Sequence, residues 1–155
     1  MGKTNALEAG GACSIARSLG VLGQRWTLLV VREALKGRTK FSEYQEALAI
    51  SSDVLAQRLE GLSSAGVLEK RPYRDAGTRE RQGYHLTPAG RELGLVIAAL
   101  MTWGDNHLSD EAGPPALLRH RETGEPVELS FVDARGERVA LDDVITIPGP
   151  GARGR

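Results

Sequence analysis

Two short amphipathic segments joined by only two residues constrain the fold of this chain more than any other feature. In residues 41–48 and 51–66, apolar side chains recur three, four or seven positions apart, which is typical of helices with one buried face. These side chains are Phe41, Tyr44 and Leu48 in the first segment and Leu55, Leu59 and Leu62 in the second. Ser51 is a suitable N-cap for the second helix, and Gly66 is a suitable end. The pair therefore predicts a helix-turn-helix.

The segment before this pair, residues 13–37, has the spacing of two further helices. The apolar positions are Ile15, Leu19 and Leu22 in the first helix and Trp26, Leu29, Val30 and Leu35 in the second. Leu28 and Val31 lie off the second stripe, so that helix is apolar nearly all round, and Gly37 ends it. This pattern predicts a central helix that packs on several sides.

After Gly66 the apolar spacing changes from that of helices to that of strands. The runs VLEKRPY and RQGYHL flank an Asp75-Ala76-Gly77 turn, which predicts a two-stranded ribbon. Thr87 as N-cap and Pro88 at the first helical position then begin a helix of roughly five turns, longer than one small core requires. We therefore expect part of its apolar stripe to form a homodimer interface. The expected interface residues are Val96, Ile97, Leu100 and Trp103.

Helix, helix, helix-turn-helix, ribbon, helix is the order of a winged helix, and the predicted fold class is α+β, mainly α. The ribbon would be the wing, and its tip gathers Arg74, Arg79 and Arg81. The repulsion among these guanidinium groups would be relieved when a negatively charged phosphate backbone binds, and the counterions released from the nucleic acid would contribute to binding. The alternative is an exposed hairpin whose charges keep a sheet edge soluble.

Charge is segregated along the chain although its formal net charge is zero. Residues 1–104 hold 14 Lys+Arg against 10 Asp+Glu, and residues 105–155 hold 6 against 10. Local fields rather than net charge attract a polyanion, so neutrality does not argue against nucleic acid as a partner.

These segments resemble one known family, the HxlR-type winged-helix transcriptional regulators of bacteria. The resemblance covers CSIARSLGVLGQRWTLLVVREALKG, FSEYQEAL, ISSDVLAQRLEGLSSAGVLEKRPY and YHLTPAGREL, in matching order and spacing. It implies a dimeric repressor or activator that binds pseudo-palindromic promoter DNA. Asp53 departs from the family, which commonly has a basic residue early in the recognition helix. The C-terminal stretch also departs, because it lacks the paired cysteines of some relatives.

The recognition helix would present one polar face to DNA. With Leu55 at the centre of the buried face, the opposite side carries Asp53, Gln57, Glu60 and Ser64, flanked by Ser52 and Ala56. In a major groove Gln57 would pair with adenine, Ala56 would touch a thymine methyl, and Asp53 would accept a hydrogen bond from a cytosine amino group. For Glu60 and Ser64 an ordinary solvent-facing role is the better interpretation.

A second set of residues would hold the DNA backbone. The candidates for phosphate contact are Lys40, Ser51, Ser52, Arg58, Lys70, Arg71, Arg74, Arg79 and Arg81. Arg79 and Arg81 are the strongest of them, since a guanidinium suits both bidentate phosphate contact and a narrow minor groove.

Cys13 is the single cysteine, so an intramolecular disulfide framework is excluded and a cytoplasmic protein is predicted. It opens the first helix, where backbone N–H groups and the helix dipole favour a thiolate. The resemblance implies redox sensing by a cysteine near the N-terminus. The alternative is a small buried apolar residue, which the nearby Ile15 and Leu19 support.

Catalysis, metal binding and membrane insertion find no support in the residues. His85, His107 and His120 lack metal-ligand spacing, and no glycine-rich loop, carboxylate cluster or nucleophile motif is present. A Cys13 nucleophile with a histidine base remains open by spacing alone. We expect no enzyme, no cofactor, no metal, no signal peptide and no membrane span.

The C-terminal extension is predicted to add a small β-hairpin. Val127, Leu129 and Phe131 alternate with polar residues, as do Val139 and Leu141 after a turn, and residues 144–147 suggest a further strand. The predicted divisions are a flexible N-terminus (1–12), the DNA-binding and dimerisation domain (13–108), the hairpin extension (109–147) and a disordered tail (148–155).

Two readings of function follow. The first is a homodimeric DNA-binding regulator controlled by an oxidant or a small-molecule effector, for which the extension would wall a pocket, pack on the dimerisation helix or compete with DNA. The second is a winged helix that binds an acidic protein partner through its wing, and the acidic Asp53 and Glu60 favour it.

Overall fold

The computed structural model describes residues 13–108 and 111–152, and these residues follow the predicted order of elements. The helices are α1 (Ser14–Leu22), α2 (Thr27–Leu35), α3 (Phe41–Leu48), α4 (Ser52–Ser64) and α5 (Pro88–His107). The strands are β1 (Leu68–Tyr73), β2 (Arg81–Leu86), β3 (Phe131–Val132) and β4 (Arg138–Val139). The fold is therefore the predicted mainly α winged helix-turn-helix.

The described residues fall into two compact units that divide inside α5, between Ile97 and Ala98. The first unit holds the helix-turn-helix and the wing. Its core forms where α2 packs against α3, α4 and β2, with Val30 and Val31 fully buried. The predicted central role of α2 is confirmed.

A cap at the start of α4 and a buried leucine face stabilise the helix-turn-helix. Ser51 caps α4, since its hydroxyl accepts a hydrogen bond from the Val54 amide at 3.4 Å. Leu55, Leu59 and Leu62 are at most 1% exposed, and burial of each leucine contributes about 1.5–3 kcal/mol. The predicted face of α4 is thus the one that meets the core.

Glu33 is a buried carboxylate that the sequence analysis missed. It accepts hydrogen bonds from Arg32 Nε (2.7 Å), Lys36 Nζ (3.1 Å) and Arg38 Nε (2.8 Å), and the residue is 1% exposed. Burial by itself raises the pKa of Glu33, but these hydrogen bonds outweigh it and hold the pKa at about 2. Because Arg38 lies beyond the end of α2, the cluster anchors the loop that leads to α3.

The wing is an antiparallel ribbon in which Leu68 pairs with Leu86 and Tyr73 with Arg81. Its turn has the predicted position, with the Thr78 amide donating to the Asp75 carbonyl at 3.1 Å and Gly77 at a φ of 75°. The base of the ribbon is held by the Tyr84 amide, which donates to the Thr39 carbonyl at 2.7 Å.

A side-chain hydrogen bond completes the attachment of the wing. The Tyr44 hydroxyl lies 2.6 Å from the Arg38 carbonyl and 3.2 Å from the Tyr84 carbonyl, so it bridges the loop before α3 and β2. Burial raises the pKa of Tyr44 well above its usual value, which keeps this donor protonated.

The beginning of α5 lies directly on the beginning of the wing. Thr87 accepts a hydrogen bond from the Gly90 amide at 3.1 Å and donates one to the Gly66 carbonyl at 2.6 Å, so the predicted cap is confirmed. A Cβ at Gly90 would lie 2.1 Å from the Val67 carbonyl oxygen. Only glycine permits this approach.

The second unit contains the predicted hairpin, but in a shorter form. β3 and β4 have two residues each, so Val127, Leu129 and Leu141 lie outside them. The prediction of a strand at 144–147 is wrong, because residues 141–143 form a 3₁₀ turn and residues 144–147 belong to no strand. Phe131, Ile145 and Ile147 are more than half exposed. Longer strands in this segment would therefore bury no apolar face and would gain little stability.

The predicted flexible N-terminus, 1–12, lies outside the described residues, as do 153–155 of the predicted disordered tail. Within 148–152, the Ala152 amide donates to the Gly149 carbonyl at 2.9 Å, which closes a turn.

Candidate nucleic-acid interface

The outward face of α4 carries the side chains predicted to read bases. Asp53, Ala56 and Gln57 are exposed on the side opposite Leu55, and Glu60 and Ser64 continue the same face toward the C-terminal end.

At the N-terminal end of α4, Ser51 and Ser52 are also exposed, and the Ser52 hydroxyl accepts a hydrogen bond from the Gln45 side chain at 2.7 Å. The structure thus brings the predicted groove residues together on one helix surface.

Three of the predicted phosphate contacts are already paired with carboxylates. Lys40 Nζ lies 2.6 Å from Asp75 Oδ1 in the wing turn, and Lys70 Nζ lies 2.5 Å from Glu60 Oε2 on α4. Arg71 forms an ion pair with Glu69 two residues away. The hydrogen bonds that Lys40 and Lys70 donate to Asp75 and Glu60 raise the pKa of both lysines. Both lysines therefore remain charged while they brace the wing.

The pairs place the wing against two other elements. Lys40 at the start of α3 also lies over the Tyr73 ring, 5.0 Å from its centroid. The Lys70 pair connects β1 to the outward face of α4. The interpretation of Glu60 as a purely solvated residue is therefore incomplete, since its carboxylate forms an ion pair between α4 and the wing.

The wing tip carries three cations that differ from these. Arg74, Arg79 and Arg81 are exposed, and within the described part of the chain no carboxylate lies within 4.0 Å of any of them. Arg81 is the first residue of β2 and pairs with Tyr73, while Arg79 lies in the segment between the two strands. The tip is thus a cluster of unneutralised guanidinium groups on a braced ribbon.

Arg58 occupies a cleft behind the recognition face. The cleft has a volume of about 350 Å³ and is lined by Arg58 together with Gln24, Thr27 and Gln57. Arg58 is half-buried, and its buried Nε has no hydrogen-bond partner among the described residues.

The residues expected at a dimer interface lie along α5. Val96, Leu100 and Trp103 are 41%, 50% and 56% exposed, which is high for large apolar side chains, whereas Ile97 packs partly against the core. Leu95, which the sequence analysis did not single out, is 70% exposed. The Trp103 and His107 rings lie 5.3 Å apart.

Cys13 caps the start of α1 and is exposed, with its carbonyl accepting the Arg17 amide at 3.0 Å. The alternative of a buried structural cysteine is therefore wrong. Ile15 and Leu19, which were expected to bury it, are themselves 71% and 48% exposed. Among the described residues, Leu22 of the apolar stripe of α1 packs against the core, whereas Ile15 and Leu19 remain largely uncovered.

Two kinds of site are missing from the described residues. No three side chains among His, Cys, Asp and Glu converge as metal ligands in residues 13–108 and 111–152. In the same ranges no helix has the length and apolar character needed to cross a bilayer.

Comparison with known proteins agrees with this geometry. The family model described as HxlR-like helix-turn-helix matches residues 21–112. An uncharacterised HTH-type transcriptional regulator of Mycobacterium tuberculosis, Rv3095, is 38% identical over 143 residues, which cover 92% of this chain and 89% of the relative.

Solved structures show the same architecture. PA1607, which is assigned as a transcription factor, has a TM-score of 0.78 and 32% identity, with 90% of this chain and 97% of that chain covered. Quinone-bound YodB of Bacillus subtilis has a TM-score of 0.52 and 27% identity, with 61% of this chain and 98% of that chain covered.

Proposed function

Because the chain belongs to the HxlR-like helix-turn-helix family of transcriptional regulators, we propose that it binds a pseudo-palindromic promoter site as a homodimer. The observation that carries this proposal is the contrast along the wing, where bracing cations are paired with carboxylates and the tip arginines are not. Unpaired guanidinium groups on a projecting ribbon favour a polyanionic partner.

Recognition of sequence belongs to α4 in this proposal. Its N-terminal half enters the major groove, where Gln57 contacts adenine, Ala56 a thymine methyl and Asp53 a cytosine amino group. Ser51 and Ser52 at the helix N-terminus contact a phosphate, as helix N-termini commonly do.

Affinity for the backbone comes from the arginines. Arg74, Arg79 and Arg81 contact phosphates on the flank of the site, and the guanidinium of the half-buried Arg58 contacts a phosphate beside the recognition helix. Lys40, Lys70 and Arg71 add positive charge, but their carboxylate partners reduce what they contribute.

The dimer forms through α5 and positions two recognition helices about one helical turn of DNA apart. Exposure of Val96, Leu100 and Trp103 supports this assignment, because large apolar side chains in one stripe usually meet a partner. Ile97 contributes less, since it already packs on the core.

The regulatory input is a redox signal at Cys13 or a small-molecule effector. Exposure of Cys13 supports the first, since a sensor thiol must be reached by its oxidant. Release of bound DNA by hydrogen peroxide, compared for the native protein and Cys13→Ser, tests it. Equal sensitivity of the two proteins would contradict the thiol and favour an effector.

The defining experiment is sequencing of genomic fragments that the purified protein retains at about 150 mM salt, where weak exposed contacts are screened. We expect a two-fold-symmetric site. A lack of enrichment, combined with capture of the protein by an acidic peptide column, would favour the protein-interaction alternative. The ion pair that occupies Glu60 already weakens that alternative, since it removes one of its two acids.

A further inference from the structure

The second unit contains a cleft to which none of the proposed DNA-binding residues contributes. It has a volume of about 270 Å³ and lies between the last turns of α5 and residues 114–127. Small-molecule sites in proteins usually measure roughly 300–1,000 Å³, and this cleft lies just below that range, so it suits only a small ligand. Its apolar lining includes Met101, Leu117, Leu118 and Val127.

The wall opposite α5 is a short loop closed on itself. Arg119 and Pro126 form an isolated antiparallel bridge, and the Val127 amide donates to the Leu118 carbonyl at 3.2 Å. At the turn, the Gly124 amide donates to the His120 carbonyl at 2.9 Å. This wall is therefore defined by backbone hydrogen bonds and not by side-chain packing alone.

Two opposite charges line the cleft without neutralising each other. Asp105 on α5 is half-buried and has no ion-pair partner among the described residues. Arg119 on the opposite wall has only a long contact of 3.5 Å from Nη1 to the Gly124 carbonyl. No ion pair within 4.0 Å joins the two in the described chain, so each retains capacity for a charged ligand group.

Thr102 adds an acceptor to the same wall as Asp105. Its hydroxyl donates to the Ala98 carbonyl at 3.0 Å, so toward the cleft its oxygen can only accept. Asp105 and Thr102 together suit an ammonium group, which has three donors to satisfy.

We propose that this cleft binds a small zwitterion with an apolar body, of which a free α-amino acid with an apolar side chain is the simplest representative. The ammonium lies on Asp105 and Thr102, the carboxylate on Arg119, and the side chain against Leu117 and Val127. Charge-assisted hydrogen bonds at both ends supply orientation, and the apolar lining supplies selectivity for the side chain.

A consequence for regulation follows, and it rests on the proposed function. Met101 and Asp105 line the cleft from the same two turns of α5 whose other side carries Leu100 and Trp103, the proposed dimer contacts. A ligand that orders one side of this segment biases the dimer contacts on the other side. Occupancy therefore changes the affinity of the dimer for its DNA site.

The test is isothermal titration of the full chain with L-leucine, L-valine, L-methionine and L-phenylalanine. For whichever binds, analogues that lack one charged group are titrated next, such as isoamylamine and 4-methylpentanoate for L-leucine. We expect binding of at least one amino acid and about tenfold or more weakening of each analogue. No binding of any of the four at about 10 mM, or equal affinity for the analogues, overturns the proposal.

Variants then locate the site. Asp105→Asn and Arg119→Gln should each weaken amino-acid binding about tenfold or more, whereas Asp142→Asn and Arg121→Gln, which lie outside the lining, should leave it unchanged. Unchanged binding in the first two variants overturns the assignment to this cleft. Far-UV circular dichroism of each variant shows whether the fold is intact.

The amino-acid titration needs no DNA. The proposal of amino-acid binding and the proposal of DNA binding are therefore tested independently. A chain that retains a DNA site but binds no amino acid overturns this inference alone. A chain that binds an amino acid through Asp105 and Arg119 but retains no DNA site overturns the proposed function alone.

Discussion

The ammonium of Lys40 lies 2.6 Å from the carboxylate of Asp75, a contact that joins residues 35 positions apart in the sequence. It ties the tip of the wing to the start of α3 and places a negative charge among the tip arginines. The contact therefore has two opposing effects on a bound polyanion, since it orients the wing and reduces its positive potential.

Asp75→Asn is expected to tighten binding to any DNA sequence. It removes one negative charge and frees Lys40 for a phosphate, so the slope of log K against log salt should steepen by about one. Fluorescence anisotropy at several salt concentrations measures this. Asp142→Asn, an equivalent change in the extension, serves as the control. A weaker complex would mean that orientation of the wing matters more than its charge.

Arg79→Ala combined with Arg81→Ala should weaken binding on all sequences alike. Each lost phosphate contact reduces the salt slope by about 0.9, so the double variant should lose nearly two. The matched control is Arg135→Ala with Arg138→Ala, which removes two arginines from the hairpin of the extension, where both are paired with acids. Equal effects in the two double variants would remove the wing from the interface.

Gln57→Ala should relax base preference at one position of each half-site. A good bidentate contact to adenine discriminates by about 1–3 kcal/mol, and this discrimination should disappear while nonspecific affinity persists. Selection from a randomised half-site library reports the change. Ser64→Ala, on the same face of α4 beyond the expected groove contacts, should leave the selected sequence unaltered. A uniform loss over all sequences would argue against base contact by Gln57.

Leu100→Glu should convert the proposed dimer to a monomer at micromolar concentration. A carboxylate introduced into an apolar interface must be desolvated without a partner, which costs several kcal/mol. Light scattering after size-exclusion chromatography gives the mass directly. Leu141→Glu, at a residue that is 73% exposed in the extension, is the control. Persistence of the native mass in Leu100→Glu would move the interface elsewhere.

Glu33→Gln should lower the free energy of unfolding by about 2–3 kcal/mol at pH 7, because three cations lose a buried anionic partner. The pKa of Glu33 in the folded chain, about 2, lies below the ordinary glutamate value of 4.5. The contribution of Glu33 to the free energy of unfolding is therefore complete above pH 4.5 and is lost as the pH falls toward about 2. Urea unfolding at pH 7 and pH 3 should show a smaller difference between native and variant at pH 3. A difference independent of pH would contradict this electrostatic account.

Local patterns were sufficient for the helices and the wing. Ser51, Thr87 and the turn at Gly77 act through contacts within a few residues, and amphipathic spacing identified the buried faces of α3 and α4. The resemblance added family and function, which spacing alone does not supply.

These local patterns did not predict ion pairs between residues that are distant in the sequence. The Lys70–Glu60 pair depends on how the ribbon lies against α4, which no short stretch of sequence encodes. Glu33 was missed because it lies within an apolar helix, although Arg32, Lys36 and Arg38 around it were a usable signal. The strand expected at 144–147 failed for the opposite reason, since β-branched residues alone do not create a partner strand.

The contact between Gly90 and the Val67 carbonyl leaves no compressible side chain between the first turn of α5 and the root of β1. Thr87 pins the same junction by hydrogen bonds to Gly66 and Val67. The wing therefore moves together with the first turn of α5. In the proposed dimer, a change in the orientation of the two first turns of α5 relative to each other would change the distance between the two wings. The spacing of half-sites that the dimer binds would change with that distance.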